Sequence, residues 1–314
     1  MKSFDSWGIR RRISPEHNYN AIWKNLKTVR LGEGYAKELP PEYSEFYDVG
    51  INTACNAQCP FCYVSAKRKG RNFDSICETW KKWMDGYFEK EKDYAVFTNK
   101  PFQIAIGSTG EPTIHPYFCE FLETIYNTHV VPNYTTNGIV LSDFDKPESR
   151  YYELANKILD YTRKYVGGVA VSFANESIRD KAENAVYALL AKGECKVNIH
   201  HIIYDKESVD DFVRVWREWG DKIAYHVLLP LMESGRSKKS MKPEAFEYLE
   251  KVIEENKIGN VAFGAHFAKY LKTSSIKTWY YPPESLSKNV ILEKDCVKIT
   301  PSSFDLTPIK TIDL

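Results

Sequence analysis

From residue 47 onward, short apolar runs alternate with longer amphipathic stretches. Runs of four to eight residues at 48–51, 102–106, 130–135, 169–173, 196–203 and 223–229 are rich in Val, Ile, Tyr and Phe, which predicts β-strands. The intervening segments 75–91, 117–129, 148–165, 177–191, 208–219 and 243–256 repeat their apolar residues at helical spacing. In the first of these, Ile76, Trp80, Trp83, Met84, Tyr87 and Phe88 make one stripe, and in the second Phe118, Phe121, Leu122, Ile125 and Tyr126 do the same. The pattern is six strand–helix repeats in succession.

Such a series folds as a parallel sheet with its helices outside. Parallel crossovers keep one hand, so six units curl the same way into an open, partial (β/α)6 barrel of the α/β class. Chemistry in these folds gathers at the C-terminal ends of the strands. The flanks break the rhythm. Residues 1–45 are polar and interrupted by Pro15, Gly32, Gly34, Pro40 and Pro41, with one helical pattern at Ile22, Trp23, Leu26 and Val29. They form an N-terminal appendage to a barrel at 46–258. Residues 259–314, with a Val261–Phe263 run, Pro282-Pro283 and an alternating stretch at 290–300, read as a small strand-rich C-terminal cap against the barrel.

Composition narrows the function classes. In 314 residues, 43 Lys+Arg against 42 Asp+Glu leave a net charge of +1, so no global field draws the chain to nucleic acid or a membrane. The first residues lack the apolar core of a signal peptide and no run of 18 apolar residues occurs, so the expected location is the cytoplasm. Seven cysteines, three of them in one loop, do not make a paired disulfide framework.

That loop is the candidate chemical centre. Cys55-Asn56-Ala57-Gln58-Cys59-Pro60-Phe61-Cys62 follows the first strand and therefore sits at its C-terminal end. Thiolates are soft ligands that select zinc, copper(I) or iron–sulfur clusters, and three at this spacing cover one face of a metal centre while leaving a position open. Structural zinc is normally closed by a fourth ligand, yet Cys77, Cys119, Cys195 and Cys296 stand singly and no His pair follows. The loop alone leaves zinc, buried thiols and an iron–sulfur cluster as alternatives.

The Cys-x3-Cys-x2-Cys loop, with Phe61 before its last cysteine, resembles the signature of the radical S-adenosylmethionine (SAM) superfamily. The resemblance spans residues 46–232 and implies that Cys55, Cys59 and Cys62 hold three irons of a single 4Fe-4S cluster. The amino and carboxylate groups of SAM would chelate the fourth iron. It further implies an enzyme: the reduced cluster cleaves SAM to methionine and a 5′-deoxyadenosyl radical, which takes a hydrogen atom from a substrate C–H bond. The electron would come from a reducing partner such as flavodoxin or ferredoxin.

The same resemblance assigns further residues. Phe61 lies where the family has an aromatic near the adenine. Gly107-Ser108-Thr109-Gly110-Glu111-Pro112 is similar to the Gly-Gly-Glu-Pro motif that holds the SAM ammonium, so Gly110, Glu111 and Pro112 are expected there; Thr109 replaces the first glycine. Thr136, in Thr135-Thr136-Asn137-Gly138, and Ser172, at the end of the fourth strand, look like further SAM contacts. Strand alternation puts Asn198 and His200 inward toward SAM or substrate and His201 toward the helices. His226, Leu228 and Arg236 line the substrate mouth or are structural. The C-terminal segment holds only Cys296, so the family's auxiliary-cluster extension is absent; Cys296 is a structural thiol or a hydrogen-atom donor to a substrate radical.

Substrate class follows less directly. Inward positions offer no phosphate cradle, which favours a peptide or protein residue. The Lys67, Arg68, Lys69 and Arg71 run is a solvated face or a phosphate contact, and the second meaning favours a nucleoside, nucleotide or other small metabolite. A binding protein carrying zinc or a cluster without turnover is the reading from another class.

Overall fold

The computed structural model describes residues 46–90, 103–128, 130–267, 270, 279–280 and 287–314; the helical pattern near residue 22 and Pro282-Pro283 lie outside them. The strand–helix series runs β1 (Phe46–Gly50), α1 (Ile76–Lys90), β2 (Gln103–Ile106), α2 (Phe118–Asn127), β3 (Val131–Thr136), α3 (Tyr152–Tyr165), β4 (Gly168–Ser172), α4 (Arg179–Ala188), β5 (Lys196–Ile203), α5 (Lys206–Trp219), β6 (Tyr225–Pro230) and α6 (Pro243–Glu255). Local chemistry sets several boundaries. Asp205 and Ser208 cap α5 reciprocally, each accepting from the other's backbone N–H at 3.0 Å. Pro243 opens α6 at a position where its missing N–H costs nothing. Helix α3 starts later than the pattern predicts, because the Asp143 carboxylate takes the Ser149 hydroxyl at 2.6 Å and holds the preceding segment in turns.

Five more strands complete one sheet: β7 (Val261–Phe263), β8 (Trp279–Tyr280), β9 (Ser287–Glu293), β10 (Cys296–Thr300) and β11 (Lys310–Asp313). The order is β11-β10-β9-β1-β2-β3-β4-β5-β6-β7-β8. Neighbours from β1 to β8 are parallel, as are β9 and β1, whereas β9, β10 and β11 run antiparallel. The α/β barrel-type sheet is thus as expected, and the described strands of the segment from residue 259 join it. Its strands extend both edges of the same sheet. The reason lies in the alternation: Val290, Leu292, Val297 and Ile299 share one fully buried face of the β9–β10 hairpin, which covers the edge β1 would otherwise leave unpaired.

The two faces of the sheet differ in kind. Outward residues Tyr47, Val49, Ile104, Ile106, Val169, Val171, Val197 and Ile199 are sealed under the helices. Tyr47 lies 5.6 Å from Trp83, Trp80 meets Trp83 edge-on at 5.5 Å, and Phe118 meets Tyr134 at 5.1 Å. Their alternates Asp48, Ala105, Asn133, Ser172, Asn198, His200 and Val227 all remain half-exposed. Around a filled barrel both faces would be dry. Here the inner face, which bounds the barrel's chamber, is half-exposed and mostly small or polar. No helix among the described residues is long and apolar enough to cross a membrane.

Register also assigns the histidines. His201 faces the helices, as alternation predicts, and His226 and Leu228 do too; Tyr225, Val227 and Leu229 are the inward residues of β6. His226 and Leu228 therefore do not line the mouth. His201 Nε2 lies 3.1 Å from His226 Nδ1 in a cluster with Phe212. Burial depresses both imidazoles, His226 from 6.5 to about 4. Neutral in the fold, the pair contributes fully above pH 6.5, and that contribution is lost as pH falls toward 4, because the unfolded chain binds protons the folded one refuses. A chain carrying His201→Phe and His226→Leu should lose less thermal stability than wild type between pH 6.5 and 4; parallel melting curves over that range would contradict this.

Candidate functional site

The cysteine loop leaves β1 without regular secondary structure and is pinned to itself. Thr53 N–H donates to Arg71 O at 2.8 Å, Cys55 N–H to Lys67 O at 2.9 Å and Phe73 N–H to Ile51 O at 3.0 Å. None of the seven cysteines is in a disulfide, and the three of the loop are half-buried. Side-chain and backbone amides point at their sulfurs: Asn175 Nδ2 lies 3.3 Å from Cys59 Sγ, Asn137 Nδ2 lies 3.8 Å from Cys55 Sγ, and Ala57 N lies 3.5 Å from the same atom. Burial still pushes the Cys55 thiol up to about 11, and Cys59 upward, so these are not activated nucleophiles. N–H donors directed at desolvated thiols suit sulfur that carries metal-bound negative charge. Among the described residues, no three His, Cys, Asp or Glu side chains stand close enough together to hold a single metal ion.

A second segment locks the loop from the opposite side of the chamber mouth. After β6, Arg236 donates its backbone N–H to Cys62 O at 2.9 Å, Nε to Cys59 O at 2.8 Å and Nη1 to Ala66 O at 2.8 Å. Gly235 has φ +59, and a Cβ there would lie 2.3 Å from Tyr63 O, so this approach requires glycine. Arg236 is therefore a clamp on the thiol loop, and it also draws the Cys59 pKa down against the burial that raises it.

The turn after β2 forms the third wall. Glu111 is 3% exposed, and its carboxylate collects Thr113 Oγ1 at 2.6 Å, Thr136 Oγ1 at 2.8 Å and Thr113 N at 3.2 Å on Oε1, with Asn137 N at 2.8 Å on Oε2. It is a knot joining the ends of β2 and β3, and only Oε2 retains room for a ligand donor. Burial raises its pKa while these donors oppose the rise. Thr136 donates its hydroxyl to Glu111 and accepts Gly138 N–H at 3.1 Å. Pro112 is buried and opens a short 3-10 turn, Pro112–Ile114. Gly110 lies against the loop, where a Cβ would sit 2.4 Å from Asn52 Oδ1 and 2.6 Å from Ala54 O. Thr109, in place of the family's glycine, donates its hydroxyl to Asn52 O at 2.6 Å.

The remaining candidates divide. Ser172, Asn198 and His200 share the inner face, Ser172 opposite His200, and Asn198 Oδ1 is buried with no partner. Phe61 is half-buried in the loop. Cys296 begins β10, which β9 separates from β1, and it pairs with Glu293 and Asp313 beside the Arg71–Glu293–Lys298 ion pairs. By register it shares the face of Asn289 and Asp48, two strands away from β1. Sequence reasoning missed Asn137, Asn175, Gly235 and Tyr63 as members of the site, and left Arg236 between mouth and scaffold. Asn137 and Asn175 each follow the C-terminal end of a strand, the available signal for the first pair.

No protein-family model and no curated protein matches this sequence. Solved structures do. SuiB of Streptococcus suis bound to precursor peptide SuiA superposes with a TM-score of 0.58 at 16% identity, over 93% of this chain and 66% of that one. SuiB alone gives 0.56 at 15% over 94% and 68%, and SuiB bound to S-adenosylmethionine 0.54 at 15% over 90% and 65%. This chain shares the fold of SuiB. It spans about two thirds of the length of SuiB, 66% in the peptide-bound form. In this fold the thiol loop follows the C-terminal end of β1, and the clamp on it comes from the segment after β6.

The clamp is testable without any cofactor. Arg236→Met removes two charge-assisted hydrogen bonds, each worth about 1.5–3 kcal/mol. Alkylation of Cys59 in the metal-free chain should quicken by at least about tenfold. An unchanged rate would show that the loop is held without Arg236.

Proposed function

We propose that this chain is a radical SAM enzyme that uses one 4Fe-4S cluster and SAM to abstract hydrogen from a peptide or protein residue. The observation that carries the reading is the three-thiol loop, with amide donors aimed at its sulfurs, standing at the strand ends beside a half-exposed, polar inner face in a fold shared with SuiB. Cys55, Cys59 and Cys62 would hold the cluster. Bound there with SAM, it supplies a 5′-deoxyadenosyl radical for C–H activation. The chain does the rest. Asn137, Asn175 and Ala57 N–H stabilise thiolate charge, Arg236 holds the loop rigid, and the Gly110 backbone with Glu111 Oε2 would receive the SAM ammonium. Ser172, Asn198 and His200 face the space where cofactor and substrate meet; burial lowers His200 to about 4, so it stands there as a neutral imidazole.

Two facts support a peptide over a nucleotide. The solved relative SuiB was captured with a precursor peptide. The basic run is solvated instead of turned inward: Lys67, Arg68 and Lys69 are exposed, and Arg71 pairs with Glu293 at 2.8 Å. A flavodoxin- or ferredoxin-type donor in the cytoplasm would deliver the electron.

The test is anaerobic reconstitution with iron and sulfide followed by reduction in the presence of SAM. Wild type should release 5′-deoxyadenosine, and Cys59→Ala should release none while keeping the wild-type circular dichroism. Turnover by the Cys59→Ala chain would overturn the ligand assignment.

A further inference from the structure

The two segments that meet at the Arg236 clamp carry a charge that the reading above leaves without a task. Residues 64–74 and 232–242 together hold eight Lys and Arg against two Asp and Glu, a net +6 in a chain whose total is +1. The fold sets these distant segments against each other. Ser234 Oγ donates to Tyr63 O at 3.1 Å, Arg236 N–H to Cys62 O at 2.9 Å, and Arg236 Nη1 to Ala66 O at 2.8 Å, the carbonyl next to Lys67. Beyond the clamp the chain turns at once: Ser237 N–H donates to Ser234 O at 3.0 Å, and its hydroxyl accepts Lys239 N–H at 3.3 Å. Residues 67–70 close a second turn, with Gly70 N–H donating to Lys67 O at 3.1 Å. Arg71 is spent on Glu293. Lys67, Arg68, Lys69, Lys238 and Lys239 are all exposed, and among the described residues none of them has an ion-pair partner.

Exposed cations without acids among them raise a positive potential that attracts an acidic surface and speeds its encounter. Because the whole chain is near neutral, this field is local and does not follow from composition. None of the five residues belongs to a strand of the sheet, so what they meet is a second surface and not a group inside the chamber. Their turns are also coupled to the thiols. Lys67 O accepts Cys55 N–H at 2.9 Å, and Arg236 holds the carbonyls of Cys59 and Cys62. A partner seated here therefore rests on backbone that is hydrogen-bonded directly to all three loop cysteines. Contacts of this kind, small and steered by charge, suit transient electron transfer, whose interfaces bury less than about 1,200 Å².

We infer that the turns at 67–69 and 238–239 form one docking surface for an acidic one-electron carrier protein. The inference rests on the proposed function for the identity of that partner, and it adds where the partner sits and what recognises it. In the docked pair one electron leaves the donor's reduced flavin or iron–sulfur centre and enters the cluster on the thiol loop; the donor is oxidised by one electron, and no atom passes between the proteins.

The test uses the full chain, an oxidised flavodoxin and, as a competing polyanion, a short single-stranded DNA oligonucleotide. Equilibrium titration should show flavodoxin binding that weakens at least about tenfold from low to physiological ionic strength. Lys67→Glu with Lys69→Glu, and separately Lys238→Glu with Lys239→Glu, should each weaken it at least about tenfold, chiefly by slowing association, and leave the melting temperature unchanged. Lys67→Gln with Lys69→Gln, which removes charge without reversing it, should lie between. Arg163→Glu with Lys164→Glu, an equal change of charge at exposed positions of α3, should alter binding by less than about twofold. No flavodoxin binding at low salt, patch variants that bind as wild type does, an equal loss in the α3 variant, or tighter binding of the oligonucleotide than of flavodoxin would each overturn the inference. Release of 5′-deoxyadenosine separates the two claims. With dithionite as reductant the patch variants should match wild type, and with reduced flavodoxin they should release at least about tenfold less. No release with dithionite, alongside charge-dependent flavodoxin binding, would defeat the proposed function and leave the docking surface standing.

Discussion

An irregular loop carrying three thiols must be held still by hydrogen bonds from elsewhere, because it has no ladder of its own to hold it. Three sources meet that need. The loop pairs with itself through Thr53, Cys55 and Phe73 N–H groups, the turn after β2 braces it through Glu111 N–H to Ala54 O at 2.8 Å, and Arg236 grips the carbonyls of Cys59, Cys62 and Ala66. Glu111 adds the lateral tie, since the same Asn137 whose backbone it binds points its amide at Cys55 Sγ. The residues that orient the thiols are thus the residues that join β2 and β3, and the clamp closes from β6. Distant strand ends become one rigid rim.

The chamber below that rim follows from the period of two along each strand. Apolar side chains go outward under the aromatic stripes of α1 and α2, and small or polar ones go inward, where they stay half-exposed. The β9–β10 hairpin extends the same wall beyond β1 and brings Asn289 beside Asp48. Segment 301–304 then reaches across, with the Phe304 ring 4.6 Å from both Tyr63 and His266. One aromatic contact chain thereby links the cysteine loop to the turn after β7.

Much of this was legible in the sequence. Stripes such as Ile76, Trp80, Trp83 and Met84 announce a helix whatever they pack on, and Val197, Ile199 and Ile203 against Asn198 and His200 announce which face of β5 is wet. Alternation could not place the C-terminal strands, since the partner of β9 is β1, more than two hundred residues earlier in the chain. His226 looked like a mouth residue until the β5–β6 register set it against Ile199 on the dry face. Glu111 is the sharper lesson. The motif identifies the position, but whether the carboxylate is open or already satisfied depends on Thr113, Thr136 and Asn137, and no local pattern reports that. Arg236 and Asn175 reach the loop across 177 and 116 residues, and only the folded chain brings them there.

The central claim is that three protein thiols leave one cluster position open for SAM. Electron paramagnetic resonance of the anaerobically reconstituted and reduced chain tests it most directly. The account predicts a reduced-cluster signal whose g values move when SAM is added, because the amino and carboxylate groups of SAM occupy that fourth position. A spectrum that SAM leaves unchanged, or a chain that takes up zinc and no iron, would contradict it.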